Sequence, residues 1–558
     1  MRRLFLYSLC VLIATCGLKA QTTLLSERQK SDLSPSENRY ERHSTDMDIR
    51  QLKQLYANPA FYELIQQDKN LIKMPQYRST VYSGYANGES KGDFLTYQGN
   101  GFEDFRLGAS GEYSIRKIGT LYGSIQYARG KHKNIGWSAM RSPELYLPYI
   151  STDSIGGDFN FEDYQVEGGF AFNLNGWTLG IRGIFHGEQA HRMTDPRALN
   201  NTTWLNVGVG IARTFNGHLM MAEGNFGRNK QNMDVRYWRP GEQDRFFVCY
   251  GFGLYDVRES AVSFGYSRMF YIKEGNAHFS YQSPTGKPFT LYANLGYEYD
   301  RMKTEEKDIQ TLYYSKTNNF KPSIKIDWET SSSLLLSVWM ESDWMHRKGY
   351  ENIYERYLSD VANNIYDYRK VDTQQNYIFT QSNSLAQLRL RYKLTPKHRL
   401  GFQGGISLFT RKEEQTKDHY SVKNITYFPH GKVDYLMEHK CSELELGVLF
   451  GKQLNARHDY NVNLKNQSIE HLDFQQTFAP YAYFNSTYSS LQMSASYIYH
   501  FSKCGLGLTL KLMYVSGNRD KDAIYSQRIG FESTAPMITT TPDKHDELWG
   551  SSSLFFVF

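Results

Sequence analysis

From residue 77 onward, apolar residues recur at every second position in short runs over almost the whole chain. Phe105, Leu107, Ala109, Tyr113 and Ile115 alternate with Arg106, Ser110, Glu112, Ser114 and Arg116, and Trp177, Leu179, Ile181 and Phe185 oppose Thr178, Arg182 and His186. A period of two puts each set on its own face of an extended strand. Asn175-Gly176 and Asn216-Gly217 are two-residue hairpin signals, and Lys117–Gly119, Pro284–Gly286, Thr330–Ser332, Thr395-Pro396, Gln453–Arg457 and Lys503–Gly505 read as further tight turns. Longer polar stretches at 133–160, 188–200, 232–260, 302–312, 349–376, 412–432, 466–480 and 517–546 lie between these turns. Short turns alternating with long connections predict an all-β fold, a transmembrane antiparallel up-and-down β-barrel of about 16–18 strands. A stack of soluble β-sandwiches would need a second apolar layer for each strand, and the sequence offers none.

The chain opens differently. Met1–Ala20 has Arg2 and Arg3 ahead of an apolar stretch and a small residue before Gln21, the pattern of a secretory signal. Residues 21–76 form a polar segment containing one helical stretch, and 77–558 form the barrel. The predicted helix is Ser44–Asn58, capped by Ser44, with Asp46 and Asp48 at its positive end and Ile49, Leu52, Leu55 and Tyr56 on one stripe. Pro59 stops it. A helix this short needs a surface to pack on, so Leu52, Leu55, Asn58, Pro59 and Phe61 are candidate plug residues, inside the lumen or against its rim.

Charge and composition narrow the classes. The signal carries three basic residues, leaving 64 − 3 = 61 basic against 58 acidic, too balanced for a nucleic-acid protein. Cys249, Cys441 and Cys504 give neither a disulfide framework nor metal spacing. A mean hydropathy of −0.58 with 43 tyrosines suits strands that are lipid-facing on one side and wet on the other. No phosphate-binding loop, GxSxG elbow or His-Glu-x-x-His occurs, so no enzymatic activity, cofactor or metal site is expected. The second face of the strands carries Arg106, Glu112, Arg116, Arg182, Arg389, Arg391, Glu443 and Glu445. In lipid each such charge costs about 2–4 kcal/mol at mid-depth, so these are candidate lumen-lining residues.

The last residues, Leu554–Phe558, resemble the closing strand of bacterial outer-membrane barrels, in which the terminal aromatic, here Phe558, is the assembly signal. Together with Asn58-Pro59-Ala60-Phe61 and Asp195-Pro196-Arg197 in a predicted outer loop, they make the chain similar to an uncharacterised family of Bacteroidota outer-membrane barrels that carries a domain-of-unknown-function label. The Asn-Pro-Ala element also resembles fatty-acid-transporter-like barrels, whose N-terminal segment plugs the lumen. Asp153-Ser154-Ile155 resembles a short O-glycosylation acceptor pattern of the same bacteria. The resemblance implies the outer membrane of a Gram-negative bacterium, contact with membrane lipid and lipopolysaccharide, and handling by the barrel-assembly machinery. The expected role is passage or capture of a small polar or amphipathic solute. The alternative is a non-conducting partner of a larger receptor, lipoprotein or secretion complex. About 56 residues ahead of the first strand are too few for a plug domain of ordinary size, so energised uptake by this chain alone is not expected.

Overall fold

The computed structural model describes residues 47–67, 79–92, 94–153, 155–238, 246–251, 254–257, 266–306, 309–416, 420–461, 483–501, 504–518 and 544–557. The signal segment, Ser44, Tyr77 and Phe558 lie outside them. Strands β1 (Ser79–Gly92), β2 (Gly101–Ile115), β3 (Gly119–Ile135), β5 (Gly157–Leu174), β6 (Trp177–Arg192), β7 (Arg197–Phe215) and β8 (His218–Arg236) start the wall. It continues through β11 (Tyr266–Gln282), β12 (Phe289–Glu306), β13 (Ile309–Ser331), β14 (Leu334–Asp360), β15 (Ile365–Thr395) and β16 (His398–Gln415). The last strands are β17 (Tyr420–His439), β18 (Ser442–Asn461), β19 (Thr487–His500), β20 (Gly505–Asn518) and β21 (Lys544–Val557). Each pairs antiparallel with its sequence neighbours, and β1 also pairs with β21 through Tyr85↔Ser552, so the 18-stranded sheet closes. Closure leaves no unpaired edge. No described helix is long and apolar enough to cross a membrane, which says nothing of crossing by strands.

The alternation sets what each face meets. Leu508, Leu510 and Leu512 point outward and are 43%, 47% and 44% exposed, while Met513 and Val515 of the same strand are buried in the lumen. All three buried apolar clusters lie on the lumenal side, where turns of chain fill the barrel. Asn175 and Asn216 adopt φ of 51° and 49°, followed by Gly176 and Gly217 at 81° and 80°, as the two-residue turns require.

Several boundaries differ from expectation for one reason. The strands run well past the apolar belt, and there both faces are polar, so the alternation disappears from the sequence. The long connection expected at 188–200 shrinks to 193–196, that at 302–312 to 307–308, and that at 412–432 to 416–419. Gln453–Arg457 is not a turn; β18 passes through it, pairing Leu454 with Tyr427. The turn instead follows His439, at Lys440-Cys441, which has no glycine or asparagine to announce it. The segment expected at 349–376 is the β14–β15 hairpin itself. Beyond Glu351 and Tyr377 its strands pair only with each other, so it stands about nine residues, roughly 30 Å, above its neighbours.

Candidate functional site

Two helices occupy the short-turn end of the lumen: α1 (Met47–Ala57) and α2 (Phe61–Gln67). The second was not foreseen, since seven residues hold too little periodicity to read. α1 sets Leu55 and Tyr56 against Leu219, Met221, Tyr292, Trp339 and Leu385 of the wall, with Leu52 half-buried beside them. α2 buries Phe61, Leu64 and Ile65, and Tyr62 stacks on Tyr122 with ring centroids 3.5 Å apart. Gln66 Nε2 donates to Glu112 Oε2 at 2.9 Å.

The corner between the helices is Asn58-Pro59-Ala60. Asn58 Oδ1 accepts the Ala60 N–H at 2.9 Å and closes the bend. Its Nδ2 donates to the carbonyl of Ala222 at 3.0 Å. Backbone approaches backbone here because the wall presents glycines. A Cβ on Gly180 would stand 2.4 Å from Ala60 N, and one on Gly210 would stand 2.1 Å from Asn58 Oδ1.

Charge holds the start of α1. The Asp48 carboxylate accepts from Lys325 Nζ at 2.5 Å and Arg389 Nη1 at 3.3 Å, and pairs with Arg391. Burial alone would push the Asp48 carboxyl up, but Lys325, Arg391 and Arg389 override it and hold the group well below the usual carboxylate range. Arg50 pairs with Glu341, and Tyr292 Oη and Ser323 Oγ donate to Gln54 Oε1 at 3.1 and 2.8 Å. The sequence marked Asp48 only as an acid at a helix start; its partners lie 277 to 343 residues away, beyond any local signal.

The expected lumen-lining residues divide. Arg106 pairs with Asp104, Arg182 lies 3.9 Å from Glu167, and Glu443 lies 3.1 Å from His500, all on the inner face, where Glu445 also points. Arg389 and Arg391 converge on Asp48. Arg116 does not line the lumen: β2 ends at Ile115, and Arg116 sits in the exposed turn.

The opposite end is closed by the connection between β3 and β5. Residues 136–153 fold inward, and β4 (Ser151–Asp153) joins β9 (Phe246–Gly251) and β10 (Leu254–Val257) in a three-stranded sheet. Arg192 Nη2 meets Asp153 Oδ2 at 2.5 Å with neither side chain exposed; Ser154, whose hydroxyl would be the acceptor in the Asp153-Ser154-Ile155 pattern, lies outside the described residues. Asn200 Nδ2 donates to the Ala139 carbonyl at 3.0 Å, Arg347 Nη1 to the Leu147 carbonyl at 2.9 Å, and Tyr146 Oη to Asn229 Oδ1 at 3.2 Å. Asp195-Pro196-Arg197 braces this closure rather than forming an open outer loop. The Pro196 carbonyl accepts from Arg192 Nε at 3.1 Å, Asp195 accepts the Trp238 N–H at 3.3 Å, and Arg197 lies over the Trp238 ring.

Asp163, His186 and Glu188 bring ligand atoms within 4.8 Å of one another. His186 Nε2 lies 2.8 Å from Asp163 Oδ2, and Glu188 pairs with Arg141, so a guanidinium already supplies the positive charge of that cluster.

These features define a class: a closed 18-stranded antiparallel barrel with its lumen plugged at both ends. The chain belongs to a family of unknown function, DUF6850, whose model matches residues 70–534. No curated protein matches it. Among solved structures it is similar to the copper transporter OprC at 9% identity and TM-score 0.38, over 87% of this chain and 83% of that one. It is also similar to BauA, the ferric preacinetobactin receptor from Acinetobacter baumannii, at 8% identity and TM-score 0.39, over 86% and 80%. The unliganded ferric citrate transporter FecA gives 9% identity and TM-score 0.36, over 87% and 79%. At these values nothing about their ligands passes to this chain.

Proposed function

We propose that this protein is an outer-membrane barrel of a Gram-negative bacterium that controls the passage of a small polar or amphipathic solute, with α1–α2 as a displaceable plug. The observation that carries the reading is the nature of the obstruction. A barrel of this size leaves an aqueous channel unless something fills it. What fills its short-turn end is a separate N-terminal segment seated by side chains, not a strand of the wall. Two of the three cations on Asp48, Arg389 and Arg391, then become the charges a solute meets once the segment leaves. In a planar bilayer the intact protein is expected to conduct little and a variant lacking residues 47–67 several-fold more. Equal conductance of the two defeats the plug reading.

A second reading is a non-conducting partner subunit of a larger surface complex. The β14–β15 hairpin favours it. Tyr357, Leu358, Val361, Ile365, Tyr366 and Tyr368 are 38% to 80% exposed on a two-stranded ribbon, whose own Arg356 and Arg369 lie over the Tyr366 and Tyr357 rings. Such a ribbon is marginal alone. A hairpin truncation that abolishes co-purification of a partner while leaving the pore variant's conductance intact would select this reading.

A further inference from the structure

The outer wall carries five cations in a single cross-strand row over five adjacent strands. Arg228 of β8 faces Lys273 of β11, Lys273 faces Arg301 of β12, Arg301 faces Lys316 of β13, and Lys316 faces Lys348 of β14. All five point away from the lumen. They share the parity of the outward Phe226, Phe279, Tyr297, Ile326 and Trp344 on their own strands. The next row toward the long connections reads Lys230, Tyr271, Lys303, Tyr314, Tyr350. Those tyrosines face the cations: Arg228, Lys230 and Lys303 lie 6.0, 5.9 and 5.0 Å from the Tyr271 ring, Arg301 5.4 Å from Tyr314 and Lys316 5.6 Å from Tyr350.

Strands lie about 4.8 Å apart, so the row sets five like charges within roughly 20 Å. Like charges directly opposite one another destabilise a sheet. Elsewhere on the outer wall several cations are paired. Lys133 meets Glu103 at 2.5 Å, Lys131 meets Asp158 at 2.6 Å, Arg129 lies 3.9 Å from Glu162, Lys412 pairs with Glu414, and Arg457 meets Asp459 at 3.0 Å. Among the described residues of the two cationic rows, only Lys303 has a carboxylate partner, Glu305. The five-cation row is therefore an arc of like charge that no carboxylate of the row interrupts, whereas outward Lys91 and Lys423 face Asp546 and Asp459 on neighbouring strands. It begins two outward positions past Tyr297, Phe320 and Trp344, the upper edge of the apolar belt on β12–β14.

We infer that this arc binds the phosphate groups of a phosphorylated glycolipid in the outer leaflet. The position selects the ligand. A group meeting outward side chains just beyond the apolar belt is a lipid headgroup, with its acyl chains lying along the belt below. Fixed cations with aromatic faces between them suit a ligand that alternates anionic groups with sugar rings. The inference shares with the proposed function only the outer-membrane location and does not depend on whether the lumen conducts.

The test uses the full-length protein, delipidated in detergent and reloaded with bisphosphorylated lipid A, with bound lipid counted by native mass spectrometry. Wild type should retain it. Removing both phosphates from the lipid should lower the affinity at least tenfold, with no change to the protein. Changing Arg228, Lys273, Arg301, Lys316 and Lys348 together to Gln should do the same, with the heat-modifiable gel shift of a folded barrel preserved. Changing Arg129, Lys131 and Lys133 to Gln should have little effect. Equal retention of the dephosphorylated lipid, or equal retention by the five-Gln variant, overturns the inference. So does displacement by millimolar inorganic phosphate, which would make the arc a site for free anions, or equal binding of phosphatidylglycerol vesicles.

Discussion

At Gly210 there is no room for a side chain, because Asn58 Oδ1 would stand 2.1 Å from a Cβ. The plug is seated on that absence. Gly210→Leu should expel the corner while leaving the wall intact, since position 210 faces the lumen and its strand keeps both partners. The check is a cysteine at Gln54: protected in wild type, it should become reactive from the short-turn side in the variant, and unchanged protection would refute the seating. Asn58→Ala should loosen the corner by about 1–3 kcal/mol, the cost of leaving the buried Ala60 N–H unsatisfied. Asp48 gives a pH prediction whose sign is fixed. Its carboxyl is held below its ordinary range, so its contribution to docking is fully present above the unfolded value near 4 and is lost only as pH falls through the much lower docked value. Acidification from pH 7 to about 4 should therefore leave the Gln54 cysteine protected, whereas release with a midpoint near 4 would show that the three cations do not hold the group. The Asn-Pro-Ala corner was legible in the sequence because Pro59 breaks the helix. Its seat was not: Gly180 and Gly210 look like any strand glycine until the fold brings residues 58–60 against them.

At the level of the strand, the apolar belt was readable and the extensions were not. Leu510 faces out and Lys511 faces in, as alternation required. Leu510→Arg should block assembly, at a cost of about 2–4 kcal/mol for a mid-depth charge in lipid, while Lys511→Leu should be tolerated. Comparable damage from both, measured as folded protein in the outer membrane, would contradict the facing. Where strands rise past the belt, Lys412 and Glu414 share a face with no apolar residue between them and read as loop. The Gln453–Arg457 misreading has the same origin. Cross-strand pairing carries these extensions, and pairing leaves no trace in one strand's own sequence. The hairpin tip offers a topology check: a cysteine at Val361, 80% exposed, should be labelled on intact cells, and one at Asn216 in a short turn should not.

At the level of the molecule, two obstructions lie in one lumen, and they are held differently. The inward fold of residues 136–153 is tied to five strands by Arg192, Asn200, Asn229, Arg268 and Arg347, and it rests on the largest buried cluster among the described residues. Its central pair, Arg192–Asp153, is wholly buried, and removing one partner from such a pair costs about 3–5 kcal/mol. The helical plug is smaller. α2 is seven residues long, Gln67 at its end is exposed, and among the described residues the segment meets the wall through its side chains and the Asn58 corner. Local opening follows the number of buried contacts that must be given up, so the plug should open first. Hydrogen exchange of the purified barrel should show amides of 47–67 exchanging faster than those of 138–153 by an order of magnitude or more. Conductance should then respond in the same order: loss of 47–67 alone opens a partial path, and adding Arg192→Ala widens it further. The reverse order, with 138–153 exchanging first and Arg192→Ala conducting while the plug is intact, would move the gate to the outer end and leave α1–α2 as a fixed part of the wall's packing.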